Sequence, residues 1–349
     1  MSWTALPFNR RRLLQYGTLV AGAGLLSACA GRNDDPAAQQ TPEGRDRVTL
    51  GTDWFAQAEH GGFYQAQALN IYRDYGLEVT IRMGGAQAAT GTQLLLGGAV
   101  DFAMSNGTIA INAVTQGAPK VTVAGFFQKD PRCLIAHPEP KVSQLEELND
   151  RPIFIIQQAV VDFWGLLVKR YGFKDSNRRV YNFNVGPFLA DPTSVQQGFI
   201  TSEPYTIETE GGFKPQVFLL ADYGYTPYAT TIDTTRTMIE QRPDVVKRFV
   251  QASAKGWYSY LEDPTAGNAL IQKDYPEMTS DRLAYGLKTM QEYGIVLSGD
   301  AIAKGIGHMS DQRWQDFFDS MVEAGVFESS VDYRAAYTLD FVQELPTSA

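Results

Sequence analysis

Asp53-Trp54-Phe55-Ala56-Gln57-Ala58-Glu59-His60-Gly61-Gly62-Phe63-Tyr64 is the stretch from which the rest of the chain unfolds. It follows Val48-Thr49-Leu50-Gly51, an apolar run of strand length. It leads into a segment from His60 to Tyr75 in which Phe63, Ala66 and Leu69 to Tyr72 recur at helical spacing. A strand that breaks into a polar, aromatic loop and then starts a helix opens an α/β unit. The helix start presents unpaired N–H groups and a partial positive charge. Gly61-Gly62 carry no Cβ, and the expectation is that they let a ligand approach the backbone.

Outward from this loop the alternation repeats. Gly76 ends the helix, 77–81 alternates as a strand, 87–96 reads as a helix stopped by Gly97-Gly98, and 101–104, 108–116 and 121–127 continue as strand, helix, strand. A second unit starts near Val142, with strands predicted at 153–156, 180–183, 196–201 and 216–220 and a helix at 162–171. From Thr234 the pattern turns helical, with helices predicted at 243–260, 264–273, 280–293 and 311–324. Two α/β units and a helical C-terminal part predict a bilobal α/β protein with two parallel-rich sheets and a cleft between lobes. Residues 48–135 plus 230–349 would form lobe one, and 136–229 lobe two. In open α/β sheets ligands bind beyond the carboxyl ends of the strands.

The chain has 349 residues with 39 acidic and 30 basic side chains, a net charge of −9. That balance excludes the basic footprint a nucleic acid requires. Two cysteines and three histidines allow neither a disulfide framework nor a zinc cluster. Gly84-Gly85 and Gly97-Gly98 lack the Lys-Ser/Thr of a phosphate loop, and neither a Gly-x-Ser-x-Gly nor a His-Glu-x-x-His occurs. No cofactor and no metal are expected.

The first residues read as an export signal. Arg10-Arg11-Arg12 precede a short apolar stretch from Gly17 to Ala28, and Leu26-Ser27-Ala28-Cys29 resembles a bacterial lipobox, with Cys29 the lipid-bearing residue. Asn9 to Gln15 also resembles a twin-arginine motif. Residues 1–28 are thus expected to be a lipoprotein signal peptide and 29–47 a flexible tether. Removal of 1–28 takes away three arginines and no acid, moving the charge from −9 to −12.

The strand-end loops hold the candidate ligand contacts. Trp54 offers a stacking platform or packs at the sheet rim. His60 hydrogen-bonds a ligand, caps the helix or bonds Glu59, and Glu59 itself suits a helix N-terminus. Tyr64 points into the cleft or into the core. Asn106 meets ligand edges or caps the next helix. In lobe two the loop Gln157-Gln158 with Asp162 offers amides and a carboxylate, and Glu203 is placed by Pro204 to accept N–H bonds from a heterocycle edge. Tyr225 and Tyr228 crowd the second crossover between lobes.

Residues 53–64, Gly76-Leu77-Glu78-Val79, Gly97-Gly98, Val100-Asp101-Phe102 and Gly198-Phe199-Ile200-Thr201-Ser202-Glu203-Pro204 together resemble a family of periplasmic binding proteins. That family takes sulfonates and thiamine pyrimidine precursors, and the resemblance runs over roughly 48–260. It implies a type II periplasmic-binding-protein fold that closes on a small planar heterocycle, such as a thiamine pyrimidine precursor. The protein would act at the membrane as a lipid-anchored, periplasmic monomer and hand that ligand to the permease and ATPase of an ABC importer. A riboflavin-like or sulfonate ligand remains an alternative. Enzymes of pyrimidine synthesis in the same branch carry a cysteine-rich run that this chain lacks, so binding without catalysis is expected.

Overall fold

A computed structural model describes residues 39–349; the signal segment, Cys29 and the tether up to residue 38 lie outside the described residues. Ten strands follow one another as β1 (Asp46–Gly51), β2 (Leu77–Arg82), β3 (Phe102–Ser105), β4 (Lys120–Phe127), β5 (Arg132–Ala136), β6 (Ile153–Ile155), β7 (Arg178–Val180), β8 (Val195–Phe199), β9 (Gln216–Leu219) and β10 (Ala229–Thr235) among the described residues. They form two five-stranded sheets, ordered β2-β1-β3-β10-β4 and β7-β6-β8-β5-β9. Asp46 and Arg47, expected in the tether, already belong to β1, and Asp46 is held by Arg242 at 2.9 Å and Arg248 at 2.6 Å.

The two sheets share one plan. In the first, β1 pairs in parallel with β2 and β3; in the second, β6 pairs in parallel with β7 and β8. Each sheet then receives a strand from the other side of the molecule. β10 enters between β3 and β4, and β5 between β8 and β9, all four pairings antiparallel. Each sheet is therefore mixed, with two parallel and two antiparallel pairings. One consequence touches the expected boundary at residue 135: β5 is hydrogen-bonded into the second sheet, so the crossing lies between Phe127 and Arg132.

β10 reads Ala-Thr-Thr-Ile-Asp-Thr-Thr, polar for an internal strand, yet six of its seven residues are buried. Its Asp233 accepts from Lys120 Nζ at 2.5 Å and from the Thr122 hydroxyl at 2.6 Å. A buried charge persists only with such partners.

The helix Pro243–Glu262 buries Val245, Val246, Phe249, Val250, Trp257 and Tyr260 on one stripe and packs on the helix Gly61–Ala68. Phe249 stacks on Phe102 at 4.0 Å and 5°. A Cβ at Gly61 would lie 2.2 Å from the Tyr260 ring, and one at Gly62 2.2 Å from the Trp257 ring. These glycines therefore make room for a neighbouring helix, correcting the expectation that they admit a ligand. Gly62→Ala is expected to cost about 2–3 kcal/mol, since the ring has no space to yield; a urea titration within 0.5 kcal/mol of wild type would contradict it.

The helix Asp311–Glu323 lies across both connections between the sheets. Arg313 donates to Gln128 Oε1 at 3.2 Å and to the carbonyls of Gln128, Thr226 and Pro227, and stacks on the Tyr228 ring at 4.2 Å. The strand-end loops of β1, β2 and β3 on one side, and of β6, β7 and β8 on the other, meet between the sheets.

Candidate functional site

From the first sheet, the loop after β1 brings Asp53, Trp54, Glu59 and His60. Trp54 is half-buried, with its ring 4.5 Å from Phe183, which leaves the second sheet after β7. Phe183 holds a left-handed backbone (φ 58) and is 48% exposed. An exposed aromatic kept in a disfavoured conformation marks a functional loop. The sequence reading extended the strand through residue 183; the structure ends it at Val180, and this frees Phe183 to face Trp54.

His60 is buried, with Nε2 3.2 Å from Asp53 Oδ1, and its Nδ1 has no hydrogen-bond partner among the described residues. A buried imidazole nitrogen without a partner is open to a ligand. Glu59, beside it, is 4% exposed and accepts from the Thr201 hydroxyl on the other side of the cleft. That contact goes beyond the helix-terminal charge expected of Glu59.

From the second sheet, Gly198 and Glu203 explain each other. A Cβ at Gly198 would lie 2.7 Å from Glu203 Cβ, so the glycine lets the glutamate fold back against the strand end. Glu203 Oε2 then accepts from the Phe199 N–H at 2.8 Å, while the Tyr181 hydroxyl reaches Oε1 only at 3.4 Å. One carboxylate oxygen is thus anchored and the other lightly held.

Asp162 lies on a π-helical turn, Val160–Trp164, and is 1% exposed. Its Oδ2 accepts from Arg132 Nη2 at 3.0 Å and its Oδ1 from Gln158 Nε2 at 3.0 Å. Arg132 also donates to Asp130, which is fully buried. Gln157 is exposed at the rim of the same loop. Tyr225 is buried, with its hydroxyl 3.0 Å from that of Thr108 across the cleft.

Three expected residues take the packing or capping alternative that the sequence left open. Tyr64 is fully buried in the core under its helix, where burial and the Asp274 charge push its hydroxyl pKa up. Asn106 caps the helix Gly107–Thr115 by accepting from the Ile109 N–H at 3.0 Å. Tyr228 packs against Trp314 and accepts from the Ser310 N–H at 3.0 Å, beneath Arg313. Residues not singled out from sequence are Asp130, Arg132, Tyr181, Phe183 and Thr201. Arg132 opens a strand that local periodicity did not reveal, and isolated polar residues such as Thr201 carry no local signal.

The carboxyls give this site its electrostatic character. Burial pushes Glu59, Asp130 and Asp162 above the ordinary carboxylate range, with Thr201 opposing it for Glu59 and Arg132 for the two aspartates. Glu203 is raised by its enclosure, with the Glu59 charge adding to it. A carboxyl with a raised folded pKa binds its proton more tightly folded than unfolded. Its contribution to stability is full below the ordinary carboxylate pKa and is lost as pH climbs through the raised value. The ligand-free protein is therefore expected to melt higher at pH 5 than at pH 8, by about 2 °C for each unit of upward shift that titrates between them. Glu59→Gln should flatten the profile; a Tm that rises from pH 5 to 8 would refute this assignment.

Comparison with known proteins adds four findings. A family model described as NMT1/THI5 like matches residues 57–267. The chain is 26% identical over 287 residues to the riboflavin-binding protein RibY of Chloroflexus aurantiacus, covering 80% of this chain and 79% of that protein. It is 21% identical over 241 residues to the 4-amino-5-hydroxymethyl-2-methylpyrimidine phosphate synthase of Legionella pneumophila, covering 67% and 75%. In structure it superposes on the periplasmic aliphatic sulphonate binding protein SsuA of Escherichia coli with a TM-score of 0.62 at 14% identity, covering 87% of this chain and 93% of that one.

Proposed function

The chain belongs to the NMT1/THI5-like family and has the periplasmic-binding-protein fold, and from this premise we propose that it is the substrate-binding protein of an ABC importer. It takes a neutral, planar heterocycle bearing N–H and O–H donors. The observation that carries this reading is the pairing of aromatic rings and buried carboxylates at the strand ends. Trp54 and Phe183 meet from opposite sides at 4.5 Å, and the strand ends also hold the buried Glu59, the half-buried Glu203 and the His60 Nδ1 that has no partner among the described residues. Rings hold a planar ligand by its faces, and carboxylates accept from its donor edge by charge-assisted bonds.

A thiamine-type aminopyrimidine offers such an edge. A flavin offers a larger plane and a hydroxylated chain, and the similarity to a protein named for riboflavin favours it as the second reading. The two halves, residues 46–127 with 229–349 and residues 132–219, close on the ligand, which stabilises the closed state by contacts that the open state lacks. Cys29 carries the lipid that holds this monomer at the membrane in the periplasm.

Calorimetry with riboflavin, 4-amino-5-hydroxymethyl-2-methylpyrimidine and ethanesulfonate tests the substrate class. Binding of either heterocycle, with quenching of Trp54 fluorescence, is expected. Binding of ethanesulfonate alone, or of none of the three, would overturn it.

A further inference from the structure

We propose that Asp130 and Asp162 are specificity-determining residues that exclude sulfonates and similar organic anions from the cleft by occupying the guanidinium of Arg132. The inference rests on the reading that the cleft takes a neutral, donor-bearing ligand. Arg132 is the first residue of β5, where the chain passes from one sheet to the other, and its side chain is 12% exposed. The Asp53 carboxyl, in the loop after β1, is held below its ordinary range chiefly by His60, with the Arg132 charge adding to it. A planar guanidinium in that position is a ready anion hook, because its fork matches two oxygens of a sulfonate or carboxylate.

In this chain each terminal nitrogen of the fork already donates to a carboxylate. Nη1 donates to Asp130 Oδ2 at 2.5 Å and Nη2 to Asp162 Oδ2 at 3.0 Å. The other oxygens are also engaged: Asp130 Oδ1 accepts from the Arg132 N–H at 2.9 Å, and Asp162 Oδ1 from Gln158 at 3.0 Å. One face of the guanidinium rests on the Phe199 ring at 5.5 Å. With both carboxyls ionised the cluster carries one net negative charge, so it attracts no anion. The π-helical turn at Val160–Trp164 that bears Asp162 is a rare irregularity, concentrated at functional positions. The same fold carries a sulphonate in the Escherichia coli protein named above, so the exclusion resides in these side chains and not in the architecture.

The test titrates ethanesulfonate into the wild-type protein, Asp162→Asn, and the double variant Asp130→Asn/Asp162→Asn, with thermal melts of each. Wild type is expected to show no binding at millimolar concentration. Each carboxylate removed should raise the affinity on the order of 100-fold, the Coulomb effect of one charge at roughly 6 Å in a partly buried site. Ethanesulfonate should raise the Tm of the double variant and not of wild type, a gain that a merely structural role could not produce. Adding Arg132→Gln to the double variant should abolish it.

Wild type binding ethanesulfonate as tightly as the double variant would overturn the proposal. So would a cooperatively melting variant that gains nothing. If the double variant does not fold, Asp162→Asn decides by the same criterion. Riboflavin and the aminopyrimidine are titrated in parallel. If wild type binds neither while the variants gain ethanesulfonate, the substrate reading fails and the neutralisation of Arg132 stands.

Discussion

Arg132→Met is expected to cost the fold about 3–5 kcal/mol, because it strands two carboxylates whose ion pairs among the described residues are both with Arg132. Asp130 is 0% and Asp162 1% exposed, so water cannot replace the lost guanidinium without opening the site. Methionine keeps much of the stem volume and a soft contact to Phe199, which separates loss of charge from loss of packing. The result is read as a shift in the urea midpoint at unchanged slope. The deficit should shrink at pH 5, where the stranded carboxyls take up protons. It should shrink further in Asp130→Asn/Asp162→Asn, in which no charge is left unpaired. A variant within 1 kcal/mol of wild type would show that the ion triad is dispensable.

The second large effect concerns affinity. Glu203→Gln keeps the shape of the side chain and an oxygen to accept from the Phe199 N–H, but removes the charge proposed to meet the ligand. Loss of one charge-assisted bond corresponds to about 1.5–3 kcal/mol, a 10- to 150-fold rise in Kd for riboflavin or the aminopyrimidine. Trp54→Ala removes the ring that pairs with Phe183 and should weaken binding to a similar degree. Because Trp54 is half-exposed, it should leave the melting temperature within about 2 °C of wild type. Calorimetry on both variants, with their melts, separates the site from the scaffold. Undiminished affinity in Glu203→Gln would remove the carboxylate from the recognition of the ligand.

Much of the fold was legible because it is local. The helices at 243–262, 280–292 and 311–323 lie within two residues of where apolar spacing predicted them. Strands β1 to β4, β6, β8 and β9 were also predicted within two residues of their ends, whereas the strand predicted at 180–183 shares only Val180 with β7. At the site, the residue types at strand ends were readable, since loops beyond strands are where polar and aromatic side chains gather without a packing reason. Their partners were not. Tyr64 and Trp54 each read as a cleft or a packing aromatic, and only the packing of helix Gly61–Ala68 on its neighbours decided that Tyr64 is core while Trp54 stays half-exposed.

By itself the sequence determined the βα units, the helical C-terminal part and the acidic, aromatic chemistry of the loops, because each depends on periodicity or composition within some twenty residues. The tertiary structure decided where β5 and β10 insert. β10 pairs with β3 and β4 more than a hundred residues away, and its run of threonines with Asp233 becomes strand only because Lys120 and Thr122 satisfy that carboxylate from the neighbouring strand. It also decided the charge of the cleft, since Asp130, Arg132 and Asp162 come from two separate elements and neutralise one another only once β5 crosses between the sheets. Pairing across distance is a property of the folded chain, and local pattern carries no record of it.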